Sequence, residues 1–209
     1  MDTVSFTRLL LIRHAEVEVR YHRVFGGRTD MDLSPAGRQQ AAALASHLSR
    51  RKITNLFASP MQRVQQTLAP YANNGAPPAV VLPDLCEVDF GDWTGHGWEA
   101  VQTKFGVSPY RWIDQLEQGG IANAEDIGQF RSRITCALTT VRQSANGGTI
   151  AVFCHGGVIR MMLALLLDIP FPRTNGFAID FASITEVAIK PDRNEIQSLN
   201  VTPWRDAHS

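Results

Sequence analysis

The sequence predicts an α/β fold in three layers, with a mostly parallel central sheet and helices on both faces. Three features carry that expectation: bounded apolar runs of strand length, amphipathic stretches alternating with them, and Ser-Pro pairs where a strand gives way to a helix. The first run, Leu-Leu-Leu-Ile at 9–12, reads as a buried strand. After a loop rich in Gly and Asp over 25–32, Ser34-Pro35 opens a helix. Serine accepts a bond from a free first-turn amide, and proline lacks an N–H that would be unpaired there anyway. Ala41, Leu44, Ala45 and Leu48 follow at helical spacing. Residues 53–58 form a second strand, and Ser59-Pro60 is expected to open a second helix with Met61, Val64 and Leu68 on one face. A short third strand covers 79–82. The less regular stretch 84–123 carries Trp93, Trp98 and Trp112, three of the four tryptophans, and reads as an insertion over one end of the sheet within a single domain, 1–209. A long helix then presents Phe130, Ile134, Leu138 and Val141. A strand at 149–154, a helix at about 157–167 and strands at 183–189 and 195–201 follow. Residues 203–209 are polar and expected to fray.

Composition excludes several classes. Twenty basic and twenty acidic side chains cancel, so neither nucleic acid nor a membrane surface is an expected partner. The longest apolar stretch, 159–167, is interrupted by Arg160 and falls well short of the roughly 20 residues of a membrane span. Met1-Asp-Thr-Val-Ser shows no signal-peptide pattern. Cys86, Cys136 and Cys154 are too scattered for a disulfide framework or zinc ribbon, which with the missing leader points to the cytoplasm. No His-Glu-x-x-His or other dense ligand spacing occurs, and neither a metal nor a cofactor is expected.

In open α/β sheets ligands bind beyond the carboxyl ends of the strands. Two strands end in histidine, at Arg13-His14 and Cys154-His155, and a third leads into a helix carrying Arg63 in its first turn. A parallel sheet therefore brings Arg13, His14, Arg63 and His155 to one edge, with the 84–123 insertion capping it. A lone strand-end histidine is more often structural. Two histidines with two arginines at one edge imply an oxyanion site, most naturally for phosphate, because guanidinium is always charged and its fork matches such anions. Amides at the starts of the two following helices, including the Gly156-Gly157 turn, would face the same space. Neutral imidazole is a nucleophile toward phosphorus, and arginines balance the charge on the transferring group. The leaving alcohol needs a proton, for which Glu87 and Asp89, just past the third strand, are both candidates.

These residues also resemble the motifs of the histidine phosphatase superfamily, the phosphoglycerate-mutase-like proteins. Leu11-Ile12-Arg13-His14-Ala15-Glu16 resembles its Arg-His-Gly signature, and Phe25-Gly26-Gly27-Arg28-Thr29-Asp30 with Leu33-Ser34-Pro35-Ala36-Gly37 resembles the stretch that follows. Segment 59–67 is similar to its second arginine motif, Glu87-Val88-Asp89-Phe90-Gly91 to its acidic motif, and Cys154-His155-Gly156-Gly157-Val158-Ile159-Arg160 to its second histidine motif. The resemblance spans nearly the whole chain. It implies His14 as the phosphorylated nucleophile and Glu87, rather than Asp89, as the proton donor. Arg13, Arg63 and His155 complete the implied phosphate pocket, with Gly27 and Gly156 beside it. Ala15 replaces the usual glycine, Val17 stands where Ser or Thr is common, and Arg20 stands where many members place a phosphate-contacting asparagine. Arg20 is thereby a candidate for phosphate or substrate. Glu125-Asp126 with Phe130 and Arg133 resembles a Gly-Glu-Ser segment, with Glu125 behind the site.

Within that family the sequence favours a phosphatase of the α-ribazole and broad-specificity branch, acting on a small phosphorylated substrate. Between 90 and 120 the only Lys and Arg are Lys104 and Arg111, against Asp92, Glu99, Asp114 and Glu117, a poor set for holding a bisphosphate as a mutase must. A mutase, a metallohydrolase and a non-catalytic phosphate-binding protein are the alternatives. The apolar C-terminal strands are candidates for pairing across a homodimer.

Overall fold

A computed structural model of the chain describes residues 6–206. The N-terminal segment read for a leader, and residues 207–209, lie outside the described residues. Six strands form one sheet: β1 (Thr7–Arg13), β2 (Ile53–Ala58), β3 (Ala79–Val81), β4 (Thr149–Cys154), β5 (Ile184–Ile189) and β6 (Asn194–Val201). Their order is β3-β2-β4-β1-β5-β6. The first four in that order run parallel, while β5 is antiparallel to both β1 and β6. The fold is therefore the expected α/β with a mostly parallel sheet.

Alternation explains why β1 is apolar throughout. Leu9 and Leu11 join Ile150, Val152 and Cys154 on one face, against α5 (Ile127–Gln143) and α6 (Gly156–Leu167). Leu10 and Ile12 join Leu56, Ala151 and Phe153 on the other, against α1 (Pro35–Leu48) and α2 (Gln62–Ala72). A strand covered on both sides has no polar face to show. The 84–123 region contains α3 (Trp98–Phe105) and α4 (Trp112–Glu117), and its Leu85, Val88, Trp93, Val101, Ile113 and Leu116 are buried in the first cluster. The insertion is thus packed into the core on that side of the sheet.

Two local expectations need correction. The second helix starts at Gln62 after Met61 rather than at Ser59-Pro60, because Ser59 still pairs with the sheet through its amide to Phe153 O (2.9 Å) and its hydroxyl meets His155 Nε2 (2.9 Å). Residues 203–206 form a helical turn, α7 (Pro203–Asp206), in which Trp204 packs on the second cluster and donates Nε1–H to Phe181 O (2.9 Å). β5 is engaged along both edges, so of the C-terminal strands only β6 lies at an edge of the sheet. Among the described residues no helix is long and apolar enough to cross a membrane.

Ser34 caps α1 as the sequence indicates, accepting from the Gly37 amide (2.9 Å) and donating to Glu16 Oε1 (2.7 Å). Ser34→Ala is expected to lower urea-unfolding stability by about 1–2 kcal/mol, with Ser34→Thr keeping most of it.

Candidate active site

The β1–β4 register builds the site. Arg13 lies opposite Cys154, so the next residues, His14 and His155, leave the sheet side by side with ring centroids 5.3 Å apart. The His14 amide continues the ladder to Cys154 O (3.0 Å). His14 Nδ1 lies 2.8 Å from Ala15 O, a contact that only a protonated nitrogen makes favourably. Its Nε2 then carries the lone pair and accepts from Arg63 Nε–H at 3.2 Å. Burial, then the charges of Arg63 and Arg13, holds His14 well below its ordinary pKa. His155 is lowered in the same way, by burial first and then by Arg63. Ser59 Oγ accepts from the Met61 amide (3.4 Å) and meets His155 Nε2 at 2.9 Å, a contact whose direction follows the imidazole tautomer. His155 Nδ1 is buried and has no partner among the described residues.

Arg63 is fixed by backbone oxygens, donating from Nη1 to Thr29 O (2.8 Å) and from Nη2 to Gly27 O (2.9 Å). Gly27 adopts φ +48°, left-handed geometry that glycine takes without strain. Arg13 donates from Nη1 to Ile179 O (2.6 Å), and burial lowers its pKa to about 10. Glu87 accepts from the Gly157 amide at the start of α6 (3.1 Å) and from its own neighbour's amide, Val88 N (3.0 Å). A Cβ at 157 would stand 2.5 Å from Glu87 Oε1, so glycine there is what admits the carboxylate. Gly156 starts the same helix against Arg13. Arg13, His14, Gly27, Arg63, Glu87 and Gly156 line one cavity of about 400 Å³, with His155 buried behind His14.

Two candidates are separated from this group. Asp89 turns away to accept from the Gly91 amide (2.9 Å), closing a turn of the insertion. Arg20 is exposed and pairs with Glu18 (2.6 Å), and it does not line the cavity. A charged side chain beside an exposed carboxylate two residues away has no reason to bury itself.

Sequence reasoning gave no role to two arginines and a ring. Arg160 lines the cavity and donates to Thr174 O. Its spacing one helical turn after Gly156 was a usable signal. Arg133, paired with Glu125 (2.6 Å), donates to the carbonyls of Asp84 (2.6 Å), Cys86 (2.7 Å) and Glu87 (3.2 Å), clamping the acidic loop. Phe181, against both Arg13 and His14, had no sequence signal. Of the three tryptophans, Trp98 and Trp112 form an aromatic wall of the cavity, whereas Trp93 is core.

Neutral histidines among arginines, with one carboxylate at a helix start, make a group chemically suited to an oxyanion at the edge of a mostly parallel sheet. Residues 9–202 match the histidine phosphatase superfamily (branch 1), and the chain belongs to that family. It is 29% identical over 195 residues to phosphoserine phosphatase 1 of Hydrogenobacter thermophilus, covering 93% of this chain and 92% of the relative. It is 23% identical over 193 residues to the adenosylcobalamin/alpha-ribazole phosphatase of Escherichia coli, covering 92% and 95%. The crystal structure of the alpha-ribazole phosphatase from Shigella flexneri shares the fold, with a TM-score of 0.80 at 23% identity over 93% of this chain and 96% of that one.

The lowered histidines set a pH dependence. The folded chain keeps them neutral where the unfolded chain binds protons, below about pH 6.5, so stability is full above that value and is lost as pH falls below it. Urea unfolding between pH 7 and 5 should show a loss of up to about 1.4 kcal/mol per pH unit for each histidine. The slope should be shallower in His14→Asn.

Proposed function

We propose that the chain is a phosphomonoesterase that transfers the phosphoryl group of a small phosphorylated metabolite to His14 Nε2 and then to water. The observation that carries this reading is the His14 tautomer: Nδ1–H is committed to Ala15 O, and the Nε2 lone pair is presented between Arg63 and the cavity. A neutral imidazole in that state needs no deprotonation before attack. Arg63 turns its Nε–H from Nε2 to a phosphoryl oxygen as the ester enters, while Arg13, which also lines the cavity, supplies the second guanidinium.

In the first step the N–P bond forms as the ester P–O bond breaks, and Glu87 gives its proton to the departing alkoxide oxygen. In the second, Glu87 takes a proton from water, whose oxygen bonds to phosphorus as the N–P bond breaks. No metal is required by this scheme, and two guanidiniums beside the histidines disfavour a bound cation. The relatives named as phosphatases support hydrolysis over mutase chemistry. So does the cap: Arg111 pairs with Asp114 (3.2 Å), Lys104 neighbours His96 (3.3 Å), and neither lines the cavity. Arg160 alone is short of the cations a second phosphate needs.

Intact-protein mass after a quench without acid, with a generic aryl phosphate, is the direct test. Wild type should carry one phosphoryl adduct, stable in base and labile in acid, and His14→Ala none. Hydrolysis persisting in His14→Ala would overturn the nucleophile. Glu87→Gln should cost roughly 10²–10⁴-fold in turnover of alkyl phosphates, whereas formation of the phosphoryl adduct from p-nitrophenyl phosphate, whose leaving group departs without a proton, should be far less affected.

A further inference from the structure

Arg13 is half-buried and has no carboxylate partner among the described residues. Among the described residues no acid lies within ion-pair distance of it, and its Nε has no partner at all. What holds it is one carbonyl, Ile179 O, and the face of Phe181, whose ring centroid lies 4.1 Å from the guanidinium carbon. The same ring packs against His14 at 5.5 Å. Phe181 belongs to the loop between Gly176 and β5, which is tied to the end of β1 by Ala182 N to His14 O (3.1 Å) and Arg13 N to Ser183 O (3.1 Å). Ala182 itself takes φ +50°, a strained value for a residue with a side chain.

The outer side of this loop is held by the end of the chain. Asn200 Oδ1 accepts from the Asp180 amide (2.6 Å), and Arg205 donates to Asp180 Oδ2 (2.7 Å). Trp204 Nε1 donates to Phe181 O (2.9 Å). Asp180, the acid nearest in sequence to the loop's carbonyl contact with Arg13, is thereby occupied elsewhere. An aromatic face orients a guanidinium without neutralising it. A carboxylate in its place would compete with an incoming oxyanion.

We propose that Phe181 is a positioning residue of the active site, seating Arg13 against its ring while leaving the guanidinium's charge for the substrate phosphate, and that the C-terminal turn around Trp204 and Arg205 holds it there. This rests on the phosphate-site reading of Arg13 and His14. The test is the dissociation constant of inorganic phosphate, measured by calorimetry, beside turnover of p-nitrophenyl phosphate and the melting temperature. Phe181→Leu is expected to weaken phosphate binding about fivefold to tenfold, within the range of a partly desolvated cation–π contact, and to lower kcat/KM at least as much, with the melting temperature nearly kept. Trp204→Phe and Arg205→Ala, both away from the cavity, should weaken phosphate binding about threefold, a lost hydrogen bond only partly transmitted. Unchanged phosphate affinity in a folded Phe181→Leu overturns the role of the ring. If that variant does not fold, Trp204→Phe decides: unchanged affinity overturns the proposal, and the expected loss supports it. Failure of the wild type to bind phosphate would overturn the phosphate-site reading itself.

Discussion

The parallel register of β1 on β4 is the constraint on which the site depends. Because Arg13 pairs with Cys154, both strands end at one level and their next residues emerge as neighbours. A slip by one residue would turn every side chain of a strand to the opposite face. It would exchange Leu11 for Ile12 between the two cores and separate the histidines. The register is therefore enforced from both sides of the sheet by apolar burial, and the chemistry at the edge inherits that precision. The neighbouring strand β2 extends the same alignment, since Ser59 meets His155 where its ladder to β4 ends.

A second regularity is how the cavity's arginines are anchored. Arg13 is held by Ile179 O, Arg63 by Gly27 O and Thr29 O, and Arg160 by Thr174 O. Carbonyls fix direction without cancelling charge. Arg133, outside the cavity, is instead paired with a carboxylate, Glu125. The division is physical: a guanidinium that must meet an anion keeps its potential, and one that braces a loop is neutralised where it stands. The cost of the first arrangement is borne by desolvation, which lowers Arg13 and both histidines together.

The elements and the sheet-edge group were legible because they follow from chain-local patterns plus one topological rule. Strand-length apolar runs fixed the sheet, and residues just past strand ends had to share an edge. Glu87 and Asp89 could not be told apart without the family resemblance, since both sit in one irregular loop and only the glycine at 157 shows which carboxylate fits. Arg20 could not be placed from its position near the signature, which says nothing of its pairing with Glu18. Ser59 looked like a helix cap, a role its hydroxyl gives up to His155. The C-terminal turn looked like a fraying tail because polar composition hides the single tryptophan that docks. Ser59 and Trp204 find partners far along the chain, where no local pattern reaches.

The clamp of Arg133 has an evolutionary consequence. It grips the acidic loop through the carbonyl oxygens of Asp84, Cys86 and Glu87, groups that every amino acid supplies alike. The side chains of Asp84 and Cys86 can be exchanged without loosening the grip, while Leu85 and Val88 stay fixed by the core. The position of Glu87, the proposed proton donor, is thus insulated from drift in the exposed part of the surrounding cap.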